Sequence, residues 1–416
     1  METLNEYKGF MHKSGLMNKI IFFILCLGVN MPVFANAGDP PQTFLIKPAA
    51  LLHAKEKIKQ HDPAMQQALT ELLAVADKTL QQEVYSVVFK SKVPPSGDKH
   101  DYMSVGPYWW PDSSKPNGLP YIRKDGEVNP ERFTIKDATY HNAICNNAQV
   151  LGLAWFYTGD TKYVTQATKL LRAWFLDPAT RMNPNLNYGQ AIPGRTDGRG
   201  IGLIDTRALT SLIDGVQLLK GAPGFTAADY KGIQDWYKAF LHWMRTSPVG
   251  MDEADQRNNH GTWYDVQTVA IALFTGQKEL AAKMLKEQTE QRIESQLKPD
   301  GSQPLELART LSWNYSGMNL KGFFELAMLA ENVGIDLWHY ETPGKKSLKK
   351  AFLFLLPYAA GTQPWQHKQI KPLNNKEYLQ LALVAKEKYP DVNLSSLWKG
   401  EAPKGNYLWE LTNWIF

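Results

Sequence analysis

Repeated helical hairpins along the chain predict an all-α fold, arranged as a solenoid or a closed toroid. Three observations carry this expectation. Apolar residues recur at three- and four-residue steps through most of the 416 residues. Helix–stop–helix units repeat: Phe156-Tyr157-Thr158-Gly159-Asp160 precedes a helix carrying Tyr163, Ala167 and Leu170, and Leu273-Phe274-Thr275-Gly276-Gln277 precedes one carrying Leu280, Met284 and Leu285. Ala327 to Gly334, followed by Ser347 to Tyr358, is a looser third copy. Strand signals are sparse.

The N-terminal 37 residues read as a secretory signal peptide. Lys13 and Lys19 form its positive region, Ile20 to Val29 is an apolar run too short to span a membrane, and Ala35-Asn36-Ala37 has the small-x-small cleavage pattern. Met11 and Met17 are alternative starts. Removing the leader removes Cys26 and leaves Cys145, so no internal disulfide can form and a periplasmic location is expected, with secretion as the variant. The mature chain, 38–416, shows no clear linker and reads as a single domain. Net charge is +5, too mild to imply nucleic acid, and no second stretch is apolar enough for a membrane.

From Pro48 the chain turns helical, with Leu51, Ala54 and Ile58, then Leu69, Leu72, Leu73, Ala76 and Leu80 on helical spacing. Residues 91–134 break that pattern. They are rich in Pro, Gly, Asp and aromatics, a long loop of the kind that often carries function. Tyr102, Tyr108, Trp109 and Trp110 stand in it and suit the C–H faces of sugars, or else pack onto the core. Helices resume near Thr139. Residues 183–207 interrupt them again, with Tyr188, Gln190, Arg195 and Arg199. At one end of a toroid these loops would line a shared cleft.

Familiar catalytic motifs are absent: no HExxH, CxxC, P-loop or GxSxG. Gly198-Arg199-Gly200-Ile201-Gly202 lacks a preceding strand, so a dinucleotide site is not expected. The nine histidines show no tight pair at helix spacing, so neither a metal nor another cofactor is expected.

Two segments carry chemistry. Arg257-Asn258-Asn259-His260-Gly261-Thr262-Trp263-Tyr264 concentrates a cation, amides, an imidazole and aromatics. Asn caps helices well, so a helix is expected to start here and run through Leu273, with Asn259 and His260 at its mouth. Amide donors can bind a carboxylate and a neutral imidazole can take a proton, although a capping Asn with a satisfied His would look the same. The second segment holds Glu306 and Arg309, then Trp313-Asn314-Tyr315. Arg309 offers a fork matched to carboxylates and Tyr315 a donating hydroxyl, with a Glu306–Arg309 surface pair as the plainer alternative. Six residues turn an ideal helix through roughly 240°, so Arg309 and Tyr315 need a bend near Trp313-Asn314 to meet.

The chain resembles the alginate lyase family of polysaccharide lyases. The resemblance rests on Asn258-Asn259-His260, on Asp300-Gly301-Ser302-Gln303-Pro304-Leu305-Glu306-Leu307-Ala308-Arg309, and on Tyr315, over roughly residues 85–340. Tyr108-Trp109-Trp110-Pro111 fits its glucuronan and broad polyuronate branch. The resemblance implies an incomplete (α/α) toroid with a deep cleft or tunnel and metal-independent β-elimination. It implies Asn259 and Arg309 as carboxylate neutralisers, His260 as base and Tyr315 as acid, or as both where proton and leaving group share a face. The partner is then an acidic polysaccharide, read by Tyr102, Tyr108, Trp109, Trp110, Tyr188, Gln190, Arg195, Arg199, Asn258 and Trp263. Two other readings stay open: a toroid glycoside hydrolase using Asp205 and Glu306, and a non-catalytic sugar-binding protein.

Overall fold

The computed structural model describes residues 40–398 and 405–414. They belong to one compact unit, Phe34–Phe416. The leader expected over residues 1–37 lies outside the described residues.

Two helices, α1 (Pro48–Lys59) and α2 (Pro63–Leu80), precede the long loop. Asp62 caps α2 by accepting from Ala64 and Met65. The main body begins with α3 (Asp137–Thr158) and α4 (Thr161–Leu171), then α5 (Leu209–Leu219), α6 (Ala227–Thr246), α7 (Pro248–Ala254) and α8 (Asn259–Phe274). It continues through α9 (Lys278–Met284), α10 (Glu290–Gln296), α11 (Pro304–Leu307), α12 (Ser312–Glu331), α13 (Leu348–Ala359) and α14 (Lys376–Lys388), and ends with α15 (Ser395–Trp398) and α16 (Tyr407–Thr412). The repeat seen in the sequence is physical. Gly159, at φ +69°, ends α3, and Asp160 then caps α4; Gly276, at φ +77°, closes α8 ahead of α9.

Helices α3, α5, α8 and α12 pack in succession as an inner arc, and α2, α4, α6 and α14 lie against them. This is the (α/α) toroid. An inner helix is covered on all sides, which explains why α8 is buried from Gly261 through Phe274 and carries no polar stripe. Its polar residues are paired instead: Asp265 accepts from Arg292 Nε at 2.7 Å, and Gln267 shares a 2.8 Å bond with Thr206. Arg292 also donates to the carbonyls of Ala254 and Gln256, fixing the segment ahead of α8. Between α3 and α5 the approach is glycine to glycine. A Cβ on Gly152 would lie 2.8 Å from the Gly215 carbonyl oxygen.

The two irregular segments form one end structure. Strand β1 (Met103–Val105) pairs in parallel with β4 (Tyr188–Ala191), and β2 (Trp109–Trp110) pairs antiparallel with β3 (Ile122–Arg123). A buried ion pair roots the first loop: Lys90 Nζ lies 2.7 Å from Asp137 at the start of α3 and donates to the Asp101 carbonyl. A second buried centre is Asp205, which accepts from Tyr102, Ser104 and Gln190 at 2.7–3.0 Å.

Candidate active site

Helix α8 starts where the sequence predicted. Asn258 is its N-cap, and its Oδ1 accepts from the His260 amide. Ahead of it, α7 presents Glu253, whose carboxylate is buried and lies 2.9 Å from His260 Nδ1. A carboxylate can only accept, so Nδ1 carries the proton, and the Nε2 lone pair has no partner among the described residues. Burial pushes Glu253 above the usual carboxylate range, and His260 draws it back. The His260 side chain keeps 13% of its surface exposed while that of Glu253 keeps 1%. The result is an oriented imidazole backed by an acid.

Tyr315 lies in the first turn of α12, the helix packed beside α8; Gly322 of α12 faces Thr262 and Trp263 of α8. Its hydroxyl donates to Tyr108 Oη at 2.7 Å. The Arg309 guanidinium stacks 3.7 Å above its ring. Burial pushes the Tyr315 phenol well above its usual range, against the pull of Arg309. The proton therefore stays on Tyr315 at neutral pH, as an acid requires. The chain bends to bring Arg309 over Tyr315, but not at Trp313-Asn314. The break is 308–311, between α11 and α12, and Trp313 and Asn314 are already helical.

Arg309 is committed elsewhere too. Its fork grips Asp125 of the first loop at 2.7–3.2 Å, and Thr310 donates to the same carboxylate. Arg309 holds the Asp125 carboxyl far below the ordinary range. Asn259 is fully buried, and its backbone and side-chain N–H groups all turn to Glu306 at 2.6–2.9 Å. Burial raises Glu306, and the charges of Arg309 and His260 both reach it. In this geometry the N–H groups of Asn259 and the Nε and Nη2 groups of Arg309 are taken up by protein carboxylates. Arg199 is a further cation whose charge feels Glu253. Its guanidinium is mostly buried and donates to the Gln190 carbonyl and Oε1.

The loop aromatics divide. Tyr108 reaches Tyr315. Trp109 is flanked by the guanidinium groups of Arg195 and Arg199, 5.3 and 5.8 Å from its ring centre. Arg195 also donates to the Tyr121 carbonyl. Tyr188 is half-buried in β4. Trp110 turns within the loop, donating to the Glu127 carbonyl under Lys124.

Three expected binding residues need correction. Tyr102 is fully buried because its hydroxyl serves Asp205. Gln190 is buried and spends its amide between Asp205 and Arg199, so it positions Arg199 rather than touching a sugar. Trp263 is buried between α8 and α12. The Glu306–Arg309 pair does not form, since each has the partner given above. The hydrolase pair also fails, because both Asp205 and Glu306 are buried and fully engaged as acceptors. Sequence reasoning missed Glu253 and Asp125. Glu253 sits on a separate short helix and Asp125 in a turn, and no periodicity links either to its partner.

An imidazole held by a buried carboxylate and a buried phenol stand at the ends of two neighbouring inner helices of the (α/α) toroid, groups suited to acid–base chemistry. The family model for alginate lyase matches residues 86–365. An alginate lyase from Bacteroides ovatus is 39% identical, covering 89% of this chain and 99% of its own, with a TM-score of 0.84. Alginate lyase A1-III from Sphingomonas species A1 shares the fold at 16% identity and a TM-score of 0.54, over 85% of this chain and 92% of its own. A variant of A1-III complexed with tetrasaccharide gives 0.55 at 16% identity, over 88% and 98%. No curated protein matches the chain. The chain belongs to the alginate lyase family and is a polysaccharide lyase.

Proposed function

We propose that this enzyme cleaves 1,4-linked uronic-acid polymers, alginate first among them, by β-elimination that needs no metal ion. The observation that carries the reading is the Glu253–His260 pair at the start of α8, with the Tyr315 phenol in the first turn of α12, the helix packed against it. In the step, the C5–H bond breaks and its proton passes to His260 Nε2. The C4–O4 bond then breaks, O4 keeps the electron pair and takes the Tyr315 proton, and a C4=C5 double bond remains. Arg199 is the cation we assign to the substrate carboxylate, which lowers the cost of the carbanion-like intermediate. Arg309 acts through Tyr315, whose ring it covers. Where proton and leaving oxygen share a face, Tyr315 would do both jobs, and its burial opposes the phenolate that this route needs.

Substrate choice falls to the end loops, where Trp109, Arg195 and Arg199 form a cation–aromatic ledge suited to an acidic sugar. Polymannuronate, mixed alginate and polyglucuronate all fit this chemistry. Export to the periplasm would place the enzyme where such polymers are met. The test is ultraviolet absorbance of unsaturated uronate, read with alginate blocks, polyglucuronate, pectate and glycosaminoglycans, with and without chelator. A chelator-resistant rise on alginate or polyglucuronate is expected. A rise abolished by chelator, or restricted to glycosaminoglycans, would overturn the reading.

A further inference from the structure

A cavity of about 690 Å³ shares no lining residue with the active site. Its volume falls in the range of small-molecule pockets, roughly 300–1,000 Å³. Its wall includes Ala254 and Leu305, the immediate neighbours of Glu253 and Glu306. It therefore backs onto the segments that hold His260 and Asn259.

Three independent features of this wall call for a ligand. First, Arg245 and Arg257 are exposed and have no ion-pair partner among the described residues, and the one lining acid, Asp255, leaves the wall net positive. Arg292, the third lining arginine, is spent on Asp265. Second, the chain departs from α-helix to a π-turn at Leu285–Thr289, a distortion frequent at functional sites, and this turn carries Gln288. Gln288 lines the cavity. Third, Met251 and Leu305, two of the exposed large apolar side chains, both stand on this wall. Free guanidinium forks suit carboxylates, amides suit hydroxyls, and apolar side chains suit the C–H face of a sugar ring. A hexuronate presents all three.

We infer that this cavity is a non-catalytic uronate-binding site, an exosite for the polymer or for its cleavage product. The inference rests on the proposed function for its ligand class. The test uses the full chain carrying His260→Ala to stop turnover, titrated by calorimetry with a saturated uronate tetrasaccharide. Two binding events are expected, and Arg245→Glu with Arg257→Glu removes one. The milder pair, Arg245→Gln with Arg257→Gln, weakens the same event at the parent's melting temperature. Unsaturated tetrasaccharide binding there more tightly than saturated assigns the site to product, and the reverse assigns it to polymer. In the active enzyme the double variant raises KM for polymer about fivefold or more and leaves kcat in place, as loss of a second contact point predicts. A single event in both backgrounds overturns the inference. So does equal occupancy by the carboxyl-reduced tetrasaccharide or by sulfate. If the parent makes no unsaturated product from any uronate, the proposed function falls, while the isotherms still decide the cavity.

Discussion

Glu253→Gln keeps the shape of the side chain beside His260 and removes its charge. The contact is a 2.9 Å bond from a buried carboxylate to Nδ1. As His260 takes a proton from the sugar, that carboxylate faces a forming imidazolium. A hydrogen bond to a charged group contributes about 1.5–3 kcal/mol and a neutral one about 0.5–1.5. Gln retains the neutral bond, so the transition state loses about 1–1.5 kcal/mol, or roughly tenfold in kcat/KM. Glu253→Ala removes the bond altogether and frees the ring to rotate, and a loss of about a hundredfold is expected. The assay is the initial rate of ultraviolet absorbance across pH, with circular dichroism to verify folding. A Glu253→Gln enzyme with parental kcat/KM would refute the dyad.

Tyr315→Phe removes only the hydroxyl, so it should fold normally and lose about 10²–10⁴ in kcat, read by the same assay. Arg199→Ala should lower kcat/KM on acidic polymer about a hundredfold, and Arg199→Lys should recover only part of that, since a lysine lacks the planar fork. Asp125→Asn should lower Tm, because Arg309 loses its charged partner. The sign follows from the depressed Asp125 pKa: the stabilisation is complete above the ordinary carboxylate value and lost as pH falls through the folded one. The Tm gap between parent and Asp125→Asn, followed by calorimetry, should thus be constant above about pH 5 and narrow only below about pH 4. Lys90→Met strands Asp137, whose side chain is fully buried, and should cost about 3–5 kcal/mol in denaturant unfolding.

How far the sequence carried the account depended on range. Helical hairpins were legible because they are local: Gly159 with Asp160, and Gly276 ahead of α9, are stop-and-start signals within a few residues. The N-terminus of α8 was legible for the same reason, since Asn258 caps its own helix. The resemblance marked His260 and Tyr315, which the structure brings to the ends of neighbouring helices. What stayed hidden was pairing across the fold. Asp125 meets Arg309 only because β2 and β3 fold the first loop back over α12, and Glu253 meets His260 only because Arg292 pins the turn between α7 and α8. The aromatic loop misled for a related reason. Tyr102 and Trp110 have the same composition signal as Tyr108 and Trp109, but burial against Asp205 and the Glu127 carbonyl decides their orientation. The bend needed by Arg309 and Tyr315 was expected one turn too late, because Trp313 and Asn314 form good helix once 308–311 has absorbed the turn.

If the glycosidic bond breaks by elimination, with His260 taking a proton and Tyr315 giving one, the products carry that chemistry in their mass. Mass spectrometry of the oligosaccharides released from alginate by the full chain tests it most directly. Each new non-reducing end should be one water lighter than a hydrolytic end, and Tyr315→Phe should suppress these products. New ends that carry the full mass of water would mean hydrolysis and would contradict it.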